Sequence, residues 1–214
     1  MSAFSSTLLD IPNGVERWHF VAYDQLNKEL LPEAEPKSLG LIFIETSWKA
    51  KQLPYHKQKL VLQISNQRHF ALEMQQLGHP IRYVFSKEEY SVILEEIGEE
   101  YGTITVSKPA ELTLRKSISG LVKEGRVKIL EHKGWLTTSE DFISSVGNSP
   151  PWRMDKFYRH IRKSRGIMLD EDGKPVGGSW SLDDQNRLPW DGAVDLPSNP
   201  EFKPDKITTE VIQM

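Results

Sequence analysis

Residues 39–44 read Leu39-Gly40-Leu41-Ile42-Phe43-Ile44, an apolar run with no polar residue at alternate positions. A strand with one face in water alternates polar and apolar side chains. An unbroken run is what a strand needs when both faces are covered, as in a parallel sheet with helices on each side. The neighbouring segments fit that sheet. Upstream, Trp18-His-Phe-Val-Ala-Tyr23 reads as a buried strand, stopped by Asp24-Gln25-Leu26-Asn27. Downstream, Pro54 precedes a helical stretch from about His56 to Leu77. There Leu60, Ile64, Ala71, Met74 and Leu77 share one stripe, and Gly78 closes the helix. Ile81–Phe85 is a third strand. Ser86 with Glu89 three residues later predicts a capping box for a helix over 87–98. Thr103–Val106 is a fourth strand, 110–123 a helix, and Val127–Leu130 a fifth strand. Strands alternating with helices through short connections predict a doubly wound, five-stranded parallel α/β domain, Rossmann-like, over residues 16–132.

Residues 133–214 read differently. Thr138-Ser-Glu-Asp-Phe142 opens a helix, Gly147–Pro151 is a linker, and Met154–Arg165 is a basic helix. From Gly166 onward the chain reads as mostly irregular, with prolines at 175, 189, 197, 200 and 204. Such a segment is expected to run over a surface or toward a partner.

Bulk properties exclude several functions. A net charge of −3 and a pI near 6.1 provide no global field for nucleic acid, so any such surface is local. With no cysteine, the chain has no disulfide, thiol nucleophile or thiolate-bound metal centre. No apolar run approaches the roughly 18 residues of a membrane span. Met1–Pro12 has neither a basic start nor a long apolar stretch, so a soluble cytoplasmic protein is expected. The six histidines lack metal-ligand spacing, and no metal site is expected. Neither a Gly-x-Gly-x-x-Gly, a Walker A motif nor a Gly-x-Ser-x-Gly elbow is present.

Ligands of open α/β sheets bind beyond the carboxyl ends of the strands. Those ends carry Asp24, Gln25 and Glu45, which can hydrogen-bond a flat heterocycle or a ribityl chain; polar strand ends with Asp24 in a turn are the plainer alternative. Tyr55-His56-Lys57-Gln58-Lys59 opens the long helix, either as an anion site or as a solvated first turn capped by His56. The basic helix offers Arg159, Arg162 and Lys163 for contact with DNA. The alternative there is an ordinary solvated face beside a packed stripe of Met154, Phe157, Tyr158 and Ile161.

Several of these segments, in this order, resemble the photolyase-related protein family, the iron–sulfur bacterial cryptochromes and (6-4) photolyases. They are Ala22-Tyr23-Asp24-Gln25-Leu26-Asn27, Glu45-Thr46-Ser47, Pro54–Leu60, Arg68-His69-Phe70-Ala71, Trp135–Phe142, Met154–Arg159, Gly173–Trp180 and Asp183–Arg187. The resemblance covers about residues 17–212. It implies that the α/β domain holds a ribityllumazine antenna chromophore at a pocket formed by Tyr23, Asp24, Gln25, Leu26 and Glu45. It also implies a following helical domain with FAD and a four-cysteine iron–sulfur cluster, which repairs ultraviolet lesions in DNA by light-driven electron transfer. Family members enter that domain where this chain reaches Met214. The chain is therefore expected to be the amino-terminal domain of a photolyase- or cryptochrome-like flavoprotein acting in DNA photorepair or blue-light sensing. Alone it is expected to be incompetent for repair, with the helical FAD domain as its partner. Residues 150–214 then read as an inter-domain strap, with Gly177-Gly178 allowing close backbone approach and Trp180 as an anchor. One position departs from the family pattern: Tyr23 stands where glycine precedes Asp-Gln-Leu, and its ring either fills part of the pocket or stacks on the chromophore. A stand-alone α/β module binding nucleic acid or a protein partner is the alternative from a different class. A small α/β enzyme ranks last, for want of a nucleophile or base in a recognisable setting.

Overall fold

The apolar run at 39–44 lies inside β2 (Leu39–Thr46), in a sheet covered on both faces. The computed structural model describes residues 3–181, 189 and 191–214 of the 214-residue chain. The other strands are β1 (Arg17–Phe20), β3 (Ile81–Ser86), β4 (Ile104–Ser107) and β5 (Val127–Leu130). All pairings are parallel, and the order is β3-β2-β1-β4-β5. Side chains of β2 alternate between two apolar layers. Leu39, Leu41 and Phe43 pack against Phe70, Ala71 and Met74 of α2 (Lys57–Gln76). Ile42 and Ile44 join the opposite layer, with Ile93, Leu94 and Ile97 of α3 (Tyr90–Tyr101). The α/β, Rossmann-like fold read from the sequence is the observed one.

Two of the layers' contacts are dictated closely. Trp18 of β1 is the register partner of Gly40 in β2, and the Trp18 ring occupies the space where a residue-40 side chain would stand. The indole is 2% exposed and packs 4.4 Å from the Tyr101 ring. On the other side of β1, His19 is buried, and its Nδ1 lies 2.9 Å from Thr105 Oγ1. Since the Thr105 hydroxyl donates to the Trp18 carbonyl, Nδ1 carries the proton and donates to Thr105. Burial pushes the His19 imidazole down to about 4. The unfolded chain, at about 6.5, therefore takes up this proton first. Stability held by neutral His19 is full above about pH 6.5 and is lost as pH falls from there to about 4, roughly 3 kcal/mol in all. Urea midpoints measured between pH 7.5 and 4 are expected to fall in this window, and to fall less for His19→Gln.

Local differences from the sequence reading have local causes. Ser86 is the last residue of β3, paired with Thr46, and lies four residues before the first residue of the next helix, so it does not cap that helix. Its hydroxyl accepts from the Glu88 N–H in a turn, and α3 starts only at Tyr90. The helix expected over 110–123 divides at Ile118 into α4 (Leu112–Ser117) and α5 (Ser119–Lys123). A short α1 (Ser47–Gln52), capped by the Thr46 hydroxyl, follows β2 directly.

The chain forms two compact units. The first takes in the sequence up to Gly134 together with Phe202–Met214. The segment expected to continue as a strap to residue 214 thus returns to the α/β unit. Its α8 (Lys206–Ile212), capped by Asp205 accepting from the Thr208 N–H at 2.8 Å, packs on α2.

The second unit, Trp135–Glu201, is built on a helical hairpin. Its first helix, α6 (Ser139–Val146), begins with a capping box between Thr138 and Asp141. Phe142 packs edge-on against Phe157 of α7 (Met154–Ser164) and lies 6.1 Å from the Trp152 ring. After α7 the chain forms a small loop joined by an antiparallel bridge between Leu169 and Pro175. Gly177 and Gly178 adopt φ of 81° and 76°, and nothing lies within 4 Å of where their side chains would be. Left-handed backbone, not close approach, is what requires glycine at this pair. The Asp183–Arg187 motif lies outside the described residues.

Candidate ligand-binding site

A cavity of about 460 Å³ opens beyond the carboxyl ends of β1, β2 and β3. β2 and β3 deliver Glu45 and Phe85 to it, the segment after β1 adds Tyr23, the first turns of α2 add Lys59, Leu60 and Ile64, and Tyr90 comes from the start of α3. The walls are therefore apolar and aromatic at the sides, with lysines and amides at intervals. Because each strand ends at the same edge of a parallel sheet, side chains far apart in sequence converge there.

Glu45 does not present a free carboxylate to this space. Arg68 of α2 grips it with two parallel bonds, Nε to Oε2 and Nη2 to Oε1, both 2.8 Å, and the Tyr83 hydroxyl donates to Oε2 at 2.8 Å. Arg68 also reaches Glu210 of α8 at 2.7 Å and the Met214 sulfur at 3.2 Å. Its guanidinium lies 5.2 Å from the Phe4 ring centroid and 5.5 Å from that of Phe85. Burial opposes the Arg68 charge, but the bonds and charge of Glu45, with Tyr83 and Glu210, outweigh it and raise its pKa. Burial first, and the Glu45 charge next, push the Tyr83 phenol well above its usual range. Arg68 thus ties α2 to the end of β2 through Glu45 and to α8 through Glu210.

Tyr23 forms a second polar cluster. Its hydroxyl donates to Glu111, and the Lys49 ammonium of α1 donates to both. The Thr113 hydroxyl also donates to Glu111, and Lys49 lies 4.2 Å from the Tyr23 ring centroid. Burial alone would raise the Glu111 carboxyl, but bonds from Lys49, Thr113 and Tyr23 prevail and hold it below its ordinary value. Burial and the Glu111 carboxylate push the Tyr23 phenol up, so it remains a neutral donor.

The other expected site residues do not line the cavity. Asp24 is exposed in the turn after β1. Gln25 is buried, and its Nε2 donates to the carbonyls of Ser107 at 2.9 Å and Lys108 at 3.3 Å. Leu26 packs toward the Phe43 layer. The strand order reverses between β1 and β4, so Gln25 straps the sheet at its switch point, where a ligand would ordinarily enter. The Tyr23–Lys49–Glu111 cluster bridges the same two strand ends, and the cavity lies to their β2–β3 side. Tyr23 is accordingly pinned as part of a wall. Glu111 lies in the segment after β4 and Lys49 in α1, which is too short to show a helical period in the sequence.

His56 accepts from the Gln58 N–H at 3.2 Å and so caps α2, the plainer of its two readings. In the second unit, Arg162 is a correction to the expected DNA-contact set. It is 4% exposed, and its guanidinium donates to the carbonyls of Ile167, Met168 and Trp180 at 3.2, 2.6 and 2.9 Å. Arg162 staples the loop to α7. Arg159 and Lys163 are exposed, with Lys156 on the same face at helical spacing. Among the described residues no cluster of His, Asp or Glu could hold a metal, and no helix is long and apolar enough to cross a membrane.

Residues 19–214, which include every residue lining the cavity, match the deoxyribodipyrimidine photo-lyase-related protein family. The chain belongs to this family. One relative is a (6-4) photolyase of Agrobacterium fabrum (strain C58), 28% identical over 200 residues; the match covers 88% of this chain and 39% of that protein. Another is the uncharacterized protein R852 of Acanthamoeba polyphaga mimivirus, 27% identical over 118 residues, covering 51% of this chain and 60% of that protein. This photolyase-related chain thus matches less than two thirds of the length of either relative.

Proposed function

We propose that the cavity beyond β1–β3 holds a planar heteroaromatic chromophore, a ribityllumazine, and that the α/β unit is the antenna domain of a photolyase- or cryptochrome-like flavoprotein. The observation that carries this is the cavity itself. Its roughly 460 Å³ falls within the usual range for small-molecule sites, and aromatic and aliphatic side chains are prominent in its lining. Ile44, Leu60, Ile64 and Phe85 would bury the faces of a ring, and the Gln63 and Gln67 amides would orient its polar edge. When bound, such a chromophore absorbs light and passes the excitation to a flavin. This chain's residues exclude water around the ring and fix its orientation.

With no cysteine among its 214 residues, the chain offers no thiolate to an iron–sulfur cluster. FAD and cluster are assigned to a helical partner domain, and DNA photorepair or blue-light sensing to the two together. The purified chain is expected to retain about one equivalent of ribityllumazine through dialysis at ligand concentrations well above Kd. Absence of retention contradicts the antenna role. Light-driven lesion reversal by this chain with added FAD alone would contradict the assignment of the flavin to another domain.

A specific observation favours nucleic-acid contact as a second reading. Lys156, Arg159 and Lys163 form an exposed stripe on α7, and neither lysine pairs with a carboxylate among the described residues. If the stripe tracks a single-stranded backbone, replacing all three with Ala is expected to reduce the log–log salt slope of binding by about 2. Fluorescence anisotropy with a labelled oligonucleotide measures it, and an unchanged slope removes the stripe from consideration.

A further inference from the structure

One wall of the main cavity comes from late in the chain. Its lining residues fall between Tyr23 and Glu111 except for Met214, which follows α8. Met214 is 74% exposed, so it stands at the cavity mouth, and its sulfur lies 3.2 Å from Arg68 Nη2. In α8 itself, Glu210 accepts from Arg68 Nη1 at 2.7 Å through one oxygen and from the Phe4 N–H at 3.2 Å through the other. Arg68 in turn grips Glu45, which also lines the cavity. An unbroken set of contacts therefore runs from α8 to the cavity wall.

The seven residues of α8 are too few to hold a helix in water by themselves, so its structure depends on its docking. The docking contacts are few. Val211 is the buried residue of α8, Glu210 meets Arg68, and Asp205 Oδ2 lies 2.9 Å from His69 Nε2 where both side chains are largely open to solvent. An element held by so few buried groups opens locally at less cost than the sheet. We infer that α8 is a wall of the ligand site, and that its docking and the occupancy of the cavity are coupled. This rests on the reading of the cavity as a heteroaromatic site.

The coupling has a physical source. With α8 docked, a ring entering the cavity covers part of the Met214 side chain and meets a Glu45 fixed by a fully engaged Arg68. With α8 undocked, Met214 leaves the mouth and Arg68 loses Glu210. A ligand therefore binds the two states with different affinities, which is what a population shift requires. Linkage makes the effect reciprocal: the factor by which docking tightens the ligand is the factor by which the ligand favours docking. Met214 is then a ligand contact, and Glu210 and Val211 are positioning residues that act through it and through Arg68.

Two measurements on the whole chain test this. Fluorescence titration with ribityllumazine is expected to show about tenfold weaker binding for Val211→Asp, which undocks α8. Met214→Ala, which leaves α8 docked, is expected to bind about threefold more weakly for loss of the apolar contact. In wild type, saturating ribityllumazine is expected to slow amide exchange in α8 by about tenfold. Exchange by local opening of α5, which does not line the cavity, should stay within about twofold. If Val211→Asp does not fold, Met214→Ala and the wild-type exchange decide the matter. Wild-type affinity in the variants, or exchange in α8 that is indifferent to the ligand, overturns the coupling and leaves the antenna reading standing. Failure of the wild-type chain to bind overturns both.

Discussion

Replacing Arg68 with Met is expected to lower the stability of the α/β unit by about 3–5 kcal/mol, the usual loss when one partner of a buried ion pair is removed. The side chain is 2% exposed, and its partners Glu45 and Glu210 retain only 9% and 20% of their surface. Without the guanidinium, two carboxylates remain near one another in a poorly solvated space, and the Tyr83 hydroxyl is Glu45's remaining partner among the bonds to this pair. A shifted urea midpoint at unchanged slope reports the loss as stability. Arg68→Lys is expected to recover little, since an ammonium cannot reproduce the two parallel bonds to Glu45. Arg68→Met combined with Glu45→Gln should recover part of it, because the stranded charge is gone. Amide exchange in α8 should rise in the Met variant, as Arg68 joins that helix to α2 through Glu210. A loss below about 1 kcal/mol would mean that the pair behaves as a solvated surface bridge.

The second large effect is expected at Gly40. A β-carbon there would lie 2.5 Å from the Trp18 ring, closer than real contacts, and the ring is buried. Gly40→Ala should therefore cost about 1–3 kcal/mol through overpacking, despite the usual gain in stiffness when glycine leaves a strand. Pairing it with Trp18→Leu should be less damaging than the sum of the two changes, since the smaller side chain yields the room that Ala requires. Additive losses in that cycle would show that the two residues do not compete for the same space.

The sheet was legible because burial on both faces leaves a plain mark. Leu39–Ile44 has no polar alternation. The stripe read on α2 is only partly the buried face: Ala71 and Met74 are buried, Leu77 is exposed, and Ser65, Gln67, Arg68 and Phe70 complete the face that packs on the sheet. Helix starts were less legible. Ser86 has the right residue type and spacing for a capping box, but its place at the end of β3 is decided by pairing with Thr46, a contact 40 residues away in sequence. The return of α8 was missed for a related reason. Asp205 followed by Ile207 and Val211 is a cap and an apolar pair, yet seven residues after a run of prolines show too little period to stand out.

The candidate site was half legible. Strand ends of a parallel sheet converge whatever their spacing in the chain, so Tyr23 and Glu45 could be placed at one edge. Which of their atoms remain free could not be read, because that depends on Arg68, Lys49 and Glu111 arriving from other elements. The same holds for Arg162. By composition it belongs to a basic face, and only the three carbonyls it binds make it a structural residue.

The most direct measurement is a fluorescence titration of ribityllumazine into the chain and into an Ile64→Trp variant, whose larger ring occupies the main cavity. The wild-type chain is expected to bind with a Kd of about micromolar order, and the variant at least about tenfold more weakly with its fold intact by circular dichroism. No binding by the wild-type chain, or equal binding by both, would contradict a chromophore site beyond β1–β3.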